Sequence, residues 1–183
     1  ADREAAFVAA QCASLAVPVK VYRVDVKARA KQWKCSLEEA GHRVRYQCFA
    51  AWAKECGLER IAVAHHALDQ AETILENLLR GSGLPGLGGM DYRRDAIIRP
   101  LLGVTREEID AFLAENKISF CLDPSNQEPI YLRNRIRLEL LPQLMGKYNP
   151  KLVESLNRMS ESIREENALL EDLTTEAIAR CTA

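Results

Sequence analysis

The stretch Ile61-Ala62-Val63-Ala64-His65-His66-Ala67-Leu68-Asp69-Gln70-Ala71-Glu72-Thr73 decides the fold. It opens with a short apolar segment, typical of a buried strand, and passes directly into a helical pattern. That pattern continues to Arg80, and Gly81 can supply the left-handed residue that often follows a helix. In open α/β sheets, ligands bind at the carboxyl ends of the strands. We therefore expect a functional site where this strand ends and the helix begins.

Helical and strand patterns alternate on both sides of this stretch. Predicted strands cover residues 19–24, 60–64 and 96–102. Predicted helices cover residues 2–16, 36–56, 69–80, 105–116, 130–141 and 151–180. This order indicates an α/β fold with a parallel sheet and flanking helices, followed by an all-helical carboxyl-terminal part. We place the domain boundary between residues 103 and 104.

Composition narrows the class of protein. The chain has 183 residues, of which 48% are hydrophobic and 28% charged, as in a globular protein with a real core. Its net charge of −1 indicates no particular partner. No apolar run approaches the roughly 20 residues of a membrane span, and no signal peptide opens the chain, so we expect a cytoplasmic protein without membrane contact. The six cysteines form no C-x-x-C pair, so we expect free thiols and no metal centre.

Carboxylates cluster on one face of the helix that begins near Asp69. At 100° per residue, Asp69, Glu76 and Arg80 share a narrow stripe, and Glu72 lies beside it. Such carboxylates could hold a substrate ammonium group, or Mg²⁺ through water. The alternative is a solvated face on which Glu76 and Arg80 form an ordinary ion pair.

Two arginines fall on the apolar half of a later helix. Arg133 and Arg137 are four residues apart, and the apolar half is defined by Leu132, Ile136, Leu140 and Leu144. Because an unpaired buried charge is costly, these arginines need internal carboxylates or a bound phosphate, unless they snorkel at the helix edge. The excess of basic residues between positions 130 and 151 favours a modest phosphate or RNA surface.

Three motifs together resemble the tRNA(Ile)-lysidine synthetase family of the N-type ATP pyrophosphatase superfamily. The matching segments are His65 to Thr73 with Leu79 to Leu84, Asp123 to Asn126 with Arg133 to Arg137, and Ser36 to Tyr46. Two positions depart from the family pattern, since Leu68 replaces an acidic residue and His42 replaces an arginine. The phosphate loop of the family, S-G-G-x-D-S, occurs nowhere in the chain. We therefore expect this chain alone to release no pyrophosphate from ATP.

The resemblance implies an adenine nucleotide alpha hydrolase-like fold and a specific reaction. ATP, with Mg²⁺, adenylates C2 of the wobble cytidine of tRNA(Ile), and the amine of L-lysine then displaces the adenylate to form lysidine. The resemblance assigns the chemistry to Arg45, Asp69, Glu72, Arg133 and Arg137. It assigns nucleotide contacts to His65, Arg80 and Gly81, and tRNA contacts to Asn126, Asn134 and Arg135. A homodimer is compatible with it. The alternatives are another tRNA-modifying ATP pyrophosphatase, such as a thiolase, and a non-catalytic RNA-binding module.

Overall fold

The structure, a computed structural model, describes residues 2–121 and 132–182. The helices are α1 Asp2–Ser14, α2 Val26–Trp33, α3 Leu37–Glu55, α4 Ala67–Leu79, α5 Leu84–Leu87, α6 Arg106–Glu115, α7 Leu132–Arg135, α8 Leu141–Lys147 and α9 Leu152–Thr182. A π-helical turn, Ile136–Leu140, joins α7 to α8. The strands are β1 Ile61–Ala62, β2 Arg93–Arg94 and β3 Ile97–Ile98. No helix in the described ranges is long and apolar enough to cross a membrane.

Contacts along the chain divide it into two compact units, Ala1–Ile61 and Ala62–Ala183. The first unit contains α1 to α3, and the second contains α4 to α9 with the hairpin of β2 and β3. The domain boundary expected between residues 103 and 104 differs from this division, and it stays a prediction.

In the first unit, α2 packs against α3. Ala30 of α2 is buried, as are Ala40 and Val44 of α3. The N-caps are side-chain oxygens: the Asp25 carboxylate accepts the N–H of Ala28, and the Ser36 hydroxyl accepts the N–H of Glu39. The predicted helix over residues 36–56 is confirmed as α3, whereas α2 and its Asp25 cap are not among the predicted elements.

The predicted strand over residues 19–24 is wrong. These residues belong to no helix or strand in the structure, and the side chain of Val21 is 54% exposed. An alternating apolar pattern becomes a strand only where a neighbouring strand completes its hydrogen bonds. No such neighbour pairs with these residues in the described part of the chain.

The sheet in the described residues is small, and its β2–β3 hairpin is antiparallel, which the prediction of a parallel sheet did not include. Its strand order is β1-β3-β2, and each strand has only two residues. Strands β2 and β3 pair antiparallel, with Arg93 opposite Ile98 and Arg94 opposite Ile97. Only two residues connect them, and so short a connection permits an antiparallel hairpin but no parallel crossover. Of the residues that the structure describes, 67% are helical.

The core of the second unit lies where α4, the π-helical turn, α8 and α9 meet. Leu75, Ile136 and Leu141 form a buried cluster, against which Leu152 and Leu156 of α9 pack. Ile74 and Ala71 are fully buried on α4. This core fixes α4 against the turn that carries Arg137, and so it positions the charged residues of both motifs.

The predicted helix end at Pro142 is also wrong. Pro142 lies in the first turn of α8, and the N–H of Leu141 donates to the carbonyl of Ile136 in the wider π-helical pattern. Because proline has no N–H, it cannot donate to the preceding turn, and the π-helical turn lets the chain continue past it. The predicted helices α1, α6 and α9 are confirmed, and Thr105 and Glu108 form a capping box at the start of α6.

Candidate functional site

The site is built on the first turn of α4. His66 is the N-cap: its Nδ1 atom accepts the N–H of Leu68, 3.3 Å away. In return, Oδ2 of Asp69 accepts the backbone N–H of His66 at 3.0 Å. This reciprocal pair is a capping box. Sequence reasoning missed it because histidine is an uncommon cap residue, although an aspartate three residues later was a usable signal.

Four charged residues from the two motifs meet beside this turn, and we call them the ion cluster: Asp69, Glu72, Arg133 and Arg137. Arg133 donates from Nε to Oε2 of Glu72 at 2.9 Å and from Nη2 to Oδ1 of Asp69 at 3.1 Å. Arg137 donates from Nη2 to the same Asp69 oxygen at 3.0 Å and to Oε2 of Glu72 at 2.9 Å. Its Nε donates to Oε1 of Glu72. Each guanidinium therefore bridges both carboxylates.

In the ion cluster, the buried negative charges are neutralised by the positive charges of the two arginines. The side chain of Glu72 is 0% exposed, whereas those of Arg133 and Arg137 are 30% and 27% exposed. Burial of the Arg137 guanidinium lowers its pKa, but the hydrogen bond and charge of Glu72, followed by the charge of Asp69, outweigh burial and hold the pKa above its usual value. Two cations and two anions make the cluster neutral, and the partly exposed guanidiniums can still meet an anion from outside.

The helical pattern left open whether internal carboxylates or a bound phosphate balance the charges of Arg133 and Arg137. The anionic partners of Arg133 and Arg137 are internal carboxylates. Both oxygens of Glu72 accept hydrogen bonds from arginine, so a substrate ammonium group reaches Glu72 only if an arginine moves. Asp69 keeps 13% of its side chain exposed and is the more accessible carboxylate. That these two carboxylates bind the substrate stays a prediction.

The predicted nucleotide-contacting residues lie at both ends of α4. His65 is half-buried and immediately precedes the cap. At the other end, Arg80 is exposed and pairs with Glu76, as the alternative interpretation of that face predicted. Gly81 has a φ of +75°, which confirms its left-handed conformation after the helix. Their contacts with a nucleotide stay predictions.

The structure describes three of the remaining predicted residues, which are Arg45, Asn134 and Arg135. Asn134 is half-buried, and Arg135 is exposed with its Nε 3.9 Å from a carboxylate oxygen of Glu139. Arg45 belongs to the first unit, where it is exposed on α3. Asn126, with the rest of the Asp123 to Asn126 motif, lies outside the described residues. The predicted roles of these residues are untested.

The acidic residues that the structure describes do not assemble a metal centre. Within residues 2–121 and 132–182, no group of three or more His, Cys, Asp or Glu side chains is arranged to hold a metal ion. The two carboxylates that α4 does bring together are already neutralised by arginine. They therefore do not fit a Mg²⁺ site in this arrangement.

Comparison with known protein families matches residues 1–144 to the family described as the PP-loop domain. The chain belongs to the PP-loop family. This family membership implies the use of ATP, and it confirms the nucleotide-binding class predicted from the motifs.

Curated relatives of this PP-loop chain include several tRNA(Ile)-lysidine synthases. The one from Porphyromonas gingivalis is 43% identical over 88% of the chain and 36% of its own length. The one from Chlorobaculum tepidum is 41% identical over 90% of the chain and 50% of its own length, and the one from Geobacter sulfurreducens is 43% identical over 93% and 36%. The chain thus spans between a third and a half of these relatives.

A solved structure supports the fold. The U34-tRNA thiolase NcsA from Methanococcus maripaludis superposes with a TM-score of 0.68 over 90% of this chain and 58% of its own. At 15% identity, this likeness shows the fold alone. It confirms the adenine nucleotide alpha hydrolase-like part of the fold prediction.

Proposed function

We propose that this PP-loop chain serves the ATP-dependent ligation of lysine to C2 of the wobble cytidine of tRNA(Ile), which forms lysidine. The observation that carries the proposal is the ion cluster. Residues of two motifs, about 60 positions apart, meet there through four bridging arginine–carboxylate contacts. The proposed substrates are inferred from the similarity to tRNA(Ile)-lysidine synthases, at 41% to 43% identity over most of the chain.

The reaction is a transfer in two steps. The oxygen on C2 of the cytidine attacks the α-phosphorus of ATP, and pyrophosphate leaves. The amine of lysine then attacks C2, and AMP leaves with that oxygen, while the amine loses a proton to water. A protein that supports these steps must bind lysine as its ammonium group, let that group lose one proton to water before the resulting neutral amine attacks, and hold it beside the anionic adenylate in a fixed arrangement.

The ion cluster offers both kinds of contact. Asp69, the more accessible carboxylate, binds the ammonium group of lysine, whereas the outer edges of Arg133 and Arg137 face the phosphate of the adenylate. Glu72 is enclosed and acts through the arginines that it orients. Because the arginines already bridge both carboxylates, lysine binding exchanges one arginine contact at Asp69 for an ammonium contact.

The other contacts follow the family resemblance. Arg80 reaches the nucleotide from the end of α4, beside Gly81, and Arg135 with Asn134 contacts tRNA. The carbonyl end of α4 does not favour phosphate, so the side chain of Arg80 provides the attraction there. Mg²⁺ accompanies ATP as part of the substrate. A homodimer and a cytoplasmic location stay predictions.

The proposal is tested in the full-length natural protein with ATP, Mg²⁺, lysine and tRNA(Ile). We expect the Asp69→Asn variant to raise the KM for lysine at least tenfold while tRNA-dependent pyrophosphate release remains measurable. Asp110→Asn is the matched control, since Asp110 forms an exposed ion pair with Arg106 on α6. An unchanged KM for lysine in the Asp69 variant would contradict the assignment.

The same assay separates the alternatives. A non-catalytic RNA-binding module would bind tRNA(Ile) without releasing pyrophosphate under any condition. Another tRNA-modifying ATP pyrophosphatase would adenylate tRNA but incorporate no labelled lysine. Incorporation of labelled lysine that depends on both ATP and tRNA(Ile) supports lysidine formation over both.

A further inference from the structure

A second buried polar network holds α4 on the side away from the ion cluster. Gln70 follows Asp69 directly and is only 2% exposed. Its Oε1 accepts the N–H of Met90 at 2.7 Å, and its Nε2 donates to the carbonyl of Met90 at 3.0 Å. One side-chain amide thus satisfies both backbone groups of Met90, as a neighbouring strand would.

Arg164 of α9 holds the same turn from the other side. Its Nη1 donates to the carbonyl of Gly88 at 2.9 Å and to that of Met90 at 3.1 Å. The hydroxyl of Ser160, which is fully buried, accepts from both Gln70 and Arg164 at 3.4 Å. The Met90 carbonyl and the Ser160 hydroxyl are therefore shared between a residue of α4 and a residue of α9.

The charged guanidinium of Arg164 donates mainly to backbone carbonyls. Among the described residues, its guanidinium donates to two carbonyls and a hydroxyl, and its guanidinium carbon lies 5.6 Å from the ring centre of Tyr92. Gly88 caps the carboxyl end of α5, where carbonyls carry partial negative charge. A charged donor binds such carbonyls more strongly than a neutral one would. The cation therefore fixes backbone rather than neutralising a carboxylate.

From this geometry we propose that Arg164 is a positioning residue for the ion cluster. Arg164 and Gln70 hold residues 88–90 between α9 and α4, and this contact sets the rotation of α4 about its axis. Asp69 and Glu72 lie on the same helix within two residues of Gln70, so their placement depends on that rotation. The inference deepens the proposed function and rests on it for the identity of the substrate.

The test compares two measurements on the full-length natural protein. In Arg164→Met, which keeps the apolar stem but removes the donors, we expect amide exchange in residues 84–92 and 66–73 to accelerate at least tenfold. We expect the KM for lysine to rise at least threefold, with a smaller change in kcat. Arg164→Lys keeps the cation and should restore part of both effects. If Arg164→Met does not fold, amide exchange and the KM for lysine are measured in Arg164→Lys and Ser160→Ala instead.

Arg158→Met is the matched control, because Arg158 is an exposed arginine of α9 outside this network. Its exchange and KM should stay within twofold of the natural protein. An Arg164 variant with normal exchange overturns the proposal. So does one with a lower kcat and an unchanged KM, since loss of folded enzyme alone gives that pattern. If the natural protein ligates no lysine, the proposed function is wrong. In that case, the rate of amide exchange in residues 66–73 decides by itself whether Arg164 positions α4.

Discussion

The Nε atom of Arg133 lies 2.9 Å from Oε2 of Glu72, although 61 residues separate them in the chain. This contact joins the short helix α7 to the centre of α4. Glu72 has no exposed side-chain surface, so its charge is stable there only because two guanidiniums surround it. The ion cluster therefore contributes to folding as well as to the proposed chemistry.

The first prediction concerns the loss of that buried charge. Glu72→Gln leaves two partly buried arginines facing Asp69 alone, and we expect the free energy of unfolding to fall by about 3 kcal/mol. Urea unfolding followed by circular dichroism measures the change. Glu139→Gln is the control, because its contact with Arg135 is long and exposed, and it should cost less than about 0.5 kcal/mol. Equal losses in both variants would show that burial of the cluster is energetically unimportant.

Local signals in the sequence were sufficient for several elements. Caps and glycines mark α3, α4 and α6, and their bounds agree with the structure to within two residues at each end. The placement of Arg133 and Arg137 on an apolar face correctly indicated a need for anionic partners. These predictions succeeded because each depends on a short stretch of chain and on a simple cost of burial.

Features that depend on distant partners could not be predicted. Residues 19–24 have the alternation of a strand but no pairing strand in the described residues. The contacts of Gln70 with Met90 and Ser160 join residues 20 and 90 positions apart, and no local pattern identifies them. The π-helical turn before Pro142 also depends on tertiary packing, since proline alone indicates only a helix boundary.

The second prediction concerns the turn that Gln70 holds. Gly89 has a φ of +67°, and a Cβ there would lie 2.8 Å from the Gln70 amide. We expect Gly89→Ala to lower the free energy of unfolding by at least about 1–2 kcal/mol, because it adds backbone strain and displaces a buried side chain. Gly81→Ala, with similar φ but open space, should show only the strain. Thermal unfolding measures both.

Gly146 is a control position at which substitution by alanine should raise, rather than lower, the free energy of unfolding. It lies inside α8, and within the described residues no atom from outside its own helical turn lies within 4 Å of an added Cβ. Gly146→Ala should therefore stabilise the protein by about 0.5–1 kcal/mol through helix propensity. Stabilisation by Gly89→Ala as well would contradict the described turn.

The third prediction concerns pH and the cap of α6. Glu108 accepts hydrogen bonds from the N–H and the hydroxyl of Thr105, and these lower the pKa of its carboxyl below the usual value. A carboxyl whose pKa is lower in the folded state stabilises the fold above its unfolded pKa, about 4.3, and this contribution is lost as pH falls through the folded pKa. Glu108→Ala should therefore destabilise the protein at pH 7, with a difference that shrinks toward pH 3.

Unfolding midpoints at the two pH values measure this effect. Glu107→Ala changes a carboxylate in the same first turn that is not the capping-box partner of Thr105, and its smaller effect should depend less on pH. A destabilisation by Glu108→Ala that is equal at pH 7 and pH 3 would show that the carboxylate form is not what caps the helix.

The last prediction separates the charge of Arg137 from its shape. Its Nε and Nη2 atoms reach both oxygens of Glu72, and Nη2 also reaches Asp69. Lysine has the same charge but only one nitrogen, so Arg137→Lys cannot make all of these contacts at once. We expect a loss of about 1–2 kcal/mol in unfolding free energy and at least a tenfold loss of tRNA-dependent lysine incorporation in the full-length protein. Arg135→Lys, on an exposed residue of α7, should leave stability unchanged, and equal stability of the two variants would mean that charge alone holds the ion cluster together.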